Sequence, residues 1–474
     1  MKKLMTLLLV TVLLLSPFSI YSADAVEPSQ IRARTAVLMD LETGQVIYDK
    51  GAHQRVYPAS TTKILTALLV VENASLTDMM EVTGSAIGHL PWYGSHIALV
   101  EGEMISVDDA LYAMMLPSAN DASNVLAEHV AGSLDAFHQM MNDKAREIGA
   151  LNSNFTNAHG LHEESHYTTA YDMALITRYA MENEDFRRYF GAPRHTMGPT
   201  NMNTGREWPN FQYMLVPGVD AYDPTVIGGK VGFTNAARHT MSTVATRDGR
   251  SLICVVMYAP TRWDKFNDTS TLLSFGFEEF IPITISGEEF SGFQLPVMQE
   301  GEVAGNATFD MTENFTALVH RSTDLDNLQI RPNSPDFYDY LDPTPFTVSF
   351  ELPGSLPFVP SYLGSASLTP TIDILAVSAS LHLTGDGRIT PFWLRILQVI
   401  GIVLGVLILL FALFVVYRRI QIRKRRRRRT SRLAQKQAET TSHNFGTAKG
   451  YSPHAYMSSS FPRSNSGYSR RRVR

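Results

Sequence analysis

Residues 228–259 read GGKVGFTNAARHTMSTVATRDGRSLICVVMYA. Two runs rich in β-branched and apolar residues, RHTMSTVATR and SLICVVMYA, surround Asp248-Gly249. That dipeptide suits a two-residue hairpin turn, because both turn residues need positive φ. Lys230-Val231-Gly232 then falls on a third strand just before the hairpin. A second hairpin opens the chain, with TAVLMD and QVIYDK flanking Leu41-Glu42-Thr43-Gly44. Between the two hairpins helical patterns dominate, to about Tyr189. YPASTTKILTALLVV reads as an extended entry to Pro58 and a helix from Ala59. SVDDALYAMMLP carries an S-x-x-D cap at Ser106 and Asp109. KFNDTSTLLSFGFEEF is a last helix closing near Phe280. Strands at both ends with helices between them imply an α+β fold, one antiparallel sheet assembled from both ends of a domain with a helical insertion.

The rest of the 474 residues divides by texture. Residues 1–25 carry two lysines, a leucine-rich core and an A-x-A spacing at Ala23 and Ala25, the layout of a secretory signal peptide. The α+β domain occupies 26–280. From 281 to 390, short alternating runs such as FTALVH and FTVSFEL lie among Pro, Gly and Asp, as in a small all-β domain. Residues 396–417 are apolar apart from Gln398. At ~1.5 Å per residue they are long enough for one transmembrane helix. RRIQIRKRRRRR follows, which by the positive-inside rule makes 418–474 a basic cytoplasmic tail, read as disordered. The expected location is the cell membrane, single-pass, with the folded domain outside and the Arg-rich tail against anionic lipid.

Charge follows this division. The tail carries 17 Lys plus Arg against one acid, Glu439, whereas 26–417 carries 22 basic and 44 acidic residues. An acidic exported body argues against a nucleic-acid partner. The single cysteine, Cys254, excludes an internal disulfide and a cysteine-ligated zinc site, and no metal or other cofactor is expected.

Three spacings bear on chemistry. Ser60-Thr61-Thr62-Lys63 puts a hydroxyl and an amine three residues apart on one helix face, near the free N–H groups of a first turn. A serine beside a lysine able to lose its proton is a nucleophile–base pair. Its plain alternative is a capping serine with a solvated lysine. Leu116-Pro117-Ser118-Ala119-Asn120-Asp121 offers a hydroxyl and an amide two residues apart, or else an N-cap for DASNVLAEHVAG. Lys230-Val231-Gly232 is the third. His159, in NAHGLH, is a fourth polar candidate and reads more simply as loop packing.

S-x-x-K, S-x-N and K-x-G in that order, with YPASTTKILTALL, LPSANDASNVLAEHVAGS and VATRDGRSLICVVM around them, resemble the serine-type D-alanyl-D-alanine carboxypeptidases. These are low-molecular-mass penicillin-binding proteins related to the serine β-lactamases, and the resemblance covers roughly residues 32–280. It implies the DD-peptidase fold and a peptidoglycan stem peptide ending in D-Ala-D-Ala as substrate. It also implies β-lactams as acylating inhibitors, with Ser60 as nucleophile and Lys63 as base. Ser118 would relay the proton and Asn120 position Lys63. On the strand, Lys230 would attract the substrate carboxylate and Gly232 would let the substrate backbone approach, beside Phe233 and Thr234. The Ser60 and Phe233 N–H groups would form the oxyanion hole. No Glu-x-x-Leu-Asn follows Asn120, unlike a class A β-lactamase.

The chain departs from the family at Val231, where relatives carry threonine or serine. The lost hydroxyl would donate to a carboxylate, a bond contributing about 1.5–3 kcal/mol, so the expectation is an enzyme slowed by roughly 10- to 150-fold. Thr234 lies on the opposite strand face and offers little compensation. Arg238-His239 is a second departure, from glycine and an aromatic. The alternative is a weak or inactive homologue that binds wall peptides without useful turnover.

Overall fold

The computed structural model describes residues 30–373 apart from 291–292, 300–301, 334–345 and 354–355. The stretch read as a signal peptide, the apolar stretch 396–417 and the basic tail therefore lie outside the described residues. Among the described residues no helix is long and apolar enough to cross a membrane.

Strands β1 (Thr35–Asp40) and β2 (Val46–Lys50) form the opening hairpin. A 3-10 turn over Ala59–Thr62 leads directly into helix α1 (Lys63–Asn73). The sequence reading began the helix at Ala59. The structure delays it because Ala59 is in left-handed backbone, at φ 49°, and the tighter turn intervenes. There follow α2 (Gly84–Ile87), the short pair β3 (Met79–Glu81) and β4 (Met104–Ser106), and α3 (Val107–Met115), capped by Ser106 Oγ on the Asp109 N–H as the S-x-x-D spacing predicts. Helices α4 (Asn120–Ala131), α5 (Leu134–Ile148), α6 (Ala170–Ala180) and α7 (Glu184–Phe190) complete the insertion, and the small hairpin β5 (Arg194–Met197) and β6 (Arg206–Pro209) follows it.

The chain then returns to the sheet as β7 (Val226–Thr234), β8 (Arg238–Arg247) and β9 (Arg250–Ala259). The order is β2-β1-β9-β8-β7, every pair antiparallel, so the two ends of the domain meet where β1 pairs with β9. Asp248 and Gly249 both have positive φ, 52° and 79°, as the hairpin turn requires. Both faces are covered. Ile253, Val255 and Met257 pack against the helical insertion. Leu252, Cys254 and Val256 pack on the other side with residues of α8 (Arg262–Glu279). Burial on two faces explains why β9 reads as a continuous apolar run rather than an alternating one. Cys254 is fully buried there, and burial pushes its thiol upward, out of reactive range.

Beyond Glu279 the described chain forms two further antiparallel sheets. One is β10 (Phe280–Ile285) with β13 (Phe315–His320). The other has the order β11-β12-β16-β15-β14, from β11 (Phe293–Gln299), β12 (Glu302–Asp310), β14 (Gln329–Asn333), β15 (Phe346–Glu351) and β16 (Tyr362–Asp373). Ala317 and Val319 of β13 share one core with Phe309, Val348 and Phe350. Gln45 clasps the Leu318 backbone from the first sheet, donating to its carbonyl at 2.7 Å and accepting its N–H at 2.6 Å.

Candidate active site

The 3-10 turn sets the first pair. In such a turn side chains three residues apart eclipse, and Lys63 Nζ lies 3.1 Å from Ser60 Oγ. Ser60 is half-buried, while Lys63 is fully buried. The Lys63 amine also lies 2.8 Å from Asn120 Oδ1 and 2.6 Å from the His159 carbonyl oxygen. Burial, and then the charge of Lys230, hold its pKa well below the ordinary lysine value, against a smaller opposing pull from Asp121. A neutral amine has two N–H donors and one lone pair. With its two donors on Asn120 and the His159 carbonyl, the neutral form would have its lone pair available to Ser60 Oγ, which in the structure accepts from the Lys63 amine.

The 118–121 segment is not used as a helix cap. Ala119 occupies the N-cap of α4 and makes no side-chain capping bond, which leaves the Asn120 amide free to hold Lys63. Ser118 is in left-handed backbone at φ 67°, is 5% exposed, and its Oγ has no hydrogen-bond partner among the described residues. Ser60, Ser118 and Asn120 all line one cleft of about 1040 Å³, although Ser118 bonds neither Ser60 nor Lys63 at rest.

Strand β7 is the opposite wall, with Val231, Gly232, Phe233 and Thr234 lining it. Lys230 is buried and donates to the Val231 carbonyl at 3.1 Å. Burial, then Lys265, bring its pKa down to about 7. The side chain of Val231 belongs to the apolar cluster on the α8 side of the sheet, with Met241 and Phe266. Gly232 has a reason within the fold besides the one read in the sequence. A Cβ there would stand 2.5 Å from Thr240 Oγ1, 2.7 Å from Ser60 N and 3.0 Å from Ala59 Cβ. The glycine makes room for the Ser60 turn of this same chain. Phe233 is exposed and tilts against His239 at 4.5 Å between ring centroids. Thr234 Oγ1 accepts the Ala237 N–H and so secures the turn into β8.

Sequence reasoning missed three contributors. Arg262 and Lys265, from the first turn of α8, line the cleft beside Val231. Burial and the neighbouring Arg262 lower the Lys265 pKa to about 7. The T-x-x-D spacing of Thr261 and Asp264, which forms a capping box, would have placed this helix start correctly. The third is the backbone of His159, whose carbonyl grips Lys63. Its ring is packed in the loop, with Nδ1 accepting the Leu161 N–H, so the loop-packing reading holds for the side chain. Arg238, the first residue of the second departure, is exposed in left-handed backbone at the β7–β8 turn and is not among the residues lining the cleft, whereas His239 is. Among the described residues no group of His, Cys, Asp or Glu is placed to hold a metal ion.

Residues 22–261, half of the chain, match the family described as D-alanyl-D-alanine carboxypeptidase. The chain belongs to that family. The D-alanyl-D-alanine carboxypeptidase DacF of Bacillus subtilis is 32% identical over 293 residues, which cover 59% of this chain and 72% of the relative. DacC of Escherichia coli is 32% identical over 279 residues, covering 57% and 68%. Among solved structures, penicillin binding protein 5 from Haemophilus influenzae has a TM-score of 0.58 at 26% identity, over 74% of this chain and 99% of that one. Membership makes this a serine-type carboxypeptidase of the hydrolase class and places its three spacings in the expected fold.

Proposed function

We propose that the protein is a membrane-anchored D,D-carboxypeptidase that removes the terminal D-alanine of peptidoglycan stem peptides through an acyl-enzyme on Ser60. The observation that carries this reading is the placement of buried Lys63, its amine 3.1 Å from Ser60 Oγ and anchored to Asn120 Oδ1 and the His159 carbonyl. Lys63 Nζ takes the Oγ proton as Oγ bonds the carbonyl carbon between the two D-alanines. The oxygen becomes an oxyanion facing the Ser60 and Phe233 N–H groups. The C–N bond then breaks. The leaving amine takes its proton from Lys63 by way of Ser118, whose hydroxyl has no other bond to lose among the described residues. Water attacks the ester, Lys63 accepts its proton, and that proton returns to Ser60 Oγ. A β-lactam amide would acylate Ser60 by the same first step.

Val231 withdraws one donor from the substrate carboxylate, but Arg262 and Lys265 line the same cleft, the guanidinium cationic throughout and the lysine cationic below about pH 7. The cost of the valine therefore belongs to the lower end of the 10- to 150-fold range. Incubating purified full-length protein with a labelled penicillin tests the reading. Wild type should gain a stable adduct by intact mass and Ser60→Ala none. Val231→Thr should raise D-alanine release from a D-Ala-D-Ala peptide by about tenfold. No adduct on wild type at high drug concentration would favour a wall-binding protein without turnover.

A pH profile gives a second check. Lys230 and Lys265 have pKa values lowered to about 7, so both are ammonium below that pH and lose charge above it. Attraction for a substrate carboxylate is then full on the acid side and fades as pH rises, so KM should climb between about pH 7 and about pH 9. The fall in kcat on the acid side reports protonation of Lys63. Lys265→Arg, which keeps its charge, should flatten the rise in KM. A KM that is level across that window would remove both lysines from carboxylate binding. The single-pass anchor rests on the sequence pattern of 396–417 and its arginine flank. Protease accessibility of the tail in inside-out but not right-side-out vesicles would test it.

A further inference from the structure

Ala59 stands immediately before Ser60 at φ 49°, a backbone state that alanine rarely occupies unless its surroundings hold it there. Its carbonyl oxygen is the point at which it is held. Thr62 Oγ1 donates to Ala59 O at 2.8 Å, and Thr62 Oγ1 is itself 2.8 Å from His166 Nε2. The other ring nitrogen, Nδ1, accepts the Thr156 N–H at 3.0 Å, so the ring hydrogen sits on Nε2 and points to Thr62. His166 is 1% exposed, packs edge-on against Phe155 and is neutral, burial having brought its pKa down to about 3. Gly160 leaves space for this arrangement, since a Cβ on it would fall 1.9 Å from the Ala59 oxygen.

Ala59 C=O and Ser60 N–H belong to one planar peptide unit and point in opposite directions. The carbonyl is fixed toward the 156–166 loop, and so the N–H is fixed toward β7, where the missing Cβ of Gly232 leaves its approach open. We propose that His166 and Thr62 are positioning residues for the oxyanion site. They act through the Ala59 carbonyl to set and hold the direction of the Ser60 N–H. A donor to a peptide oxygen also polarises the N–H of the same unit, so the relay from His166 through Thr62 strengthens the bond the oxyanion would receive. The inference rests on the acyl-transfer reading of Ser60.

The test uses full-length wild type, Thr62→Val, which keeps shape and removes the hydroxyl, and Thr62→Ser, which restores it. Two constants are read from labelled-penicillin acylation, the limiting rate and the half-saturating concentration. A third is the affinity for a D-alanine-like boronic acid, whose tetrahedral adduct carries an oxygen into the oxyanion site. Thr62→Val should slow limiting acylation and weaken the boronic acid by about tenfold each, with half-saturation unchanged, and Thr62→Ser should recover both. His166→Gln, whose amide can still donate to Thr62, should outperform His166→Leu; if neither folds, the Thr62 series decides. A Thr62→Val protein with a wild-type limiting rate, or one whose loss lies wholly in half-saturation, overturns the proposal. Failure of wild type itself to be acylated takes down the acyl-transfer reading, a result distinct from either.

Discussion

Lys63→Met is expected to slow acylation by penicillin by about a thousandfold, within the range that loss of a general base produces. Methionine fills the lysine volume and keeps the helix, but it has no lone pair basic enough to take the Ser60 proton. No other described group is placed to substitute. Lys230 Nζ is directed to the Val231 carbonyl, and His159 Nδ1 is occupied by the Leu161 N–H. The melting temperature should change far less than the rate, because the relief of a buried amine is set against the loss of its N–H groups by Asn120 Oδ1 and the His159 carbonyl. The two readouts thus move apart, and a folding defect would move them together. Lys63→Arg should fail as well, since a guanidinium keeps its proton at working pH. Adduct formation by Lys63→Met within a few-fold of wild type would dismiss Lys63 as the base.

The sheet was legible because its turns have chemistry of their own. Asp248-Gly249 and the Leu41–Gly44 loop each announce a hairpin, and the two-face burial of β9 shows in LICVVMYA. The Ser60–Lys63 pair was legible for a local reason, since both residues sit on one turn. Asn120 was ambiguous because amides cap helices as readily as they hold amines. Only the path of the 116–119 backbone, with Ala119 at the cap, decides between those uses. The carbonyl of His159 could not be found from residue types at all, because every residue has one. Arg262 and Lys265 reach the cleft from a helix on the far face of the sheet, about 30 residues beyond the strand they flank, and that proximity exists only after the sheet has formed. Val231 shows the same limit. The sequence reveals a missing hydroxyl, and the fold supplies the cations around the gap.

Gly232→Ala is expected to lower acylation by about a hundredfold or more, the loss seen when one oxyanion donor is removed. The added methyl would meet Thr240 Oγ1 at 2.5 Å and Ser60 N at 2.7 Å, distances that no Cβ holds without movement. Thr240 is already fixed by its bond to the Pro58 carbonyl at 2.9 Å, so the Ser60 turn must yield instead. Displacing it turns the Ser60 N–H from the cleft and lengthens the Ser60–Lys63 contact together. Val231→Thr, one residue away, faces the opposite side of β7 among Met241 and Phe266 and should raise activity. Adjacent positions on one strand are thus expected to respond with opposite signs, the glycine through the nucleophile's turn and the valine through the substrate's carboxylate. The limiting acylation rate separates them, because Gly232→Ala should depress it whereas Val231→Thr should act mainly on half-saturation. A Gly232→Ala protein that acylates at near wild-type rate would mean that the strand, not the turn, gives way, and that the oxyanion site lies elsewhere.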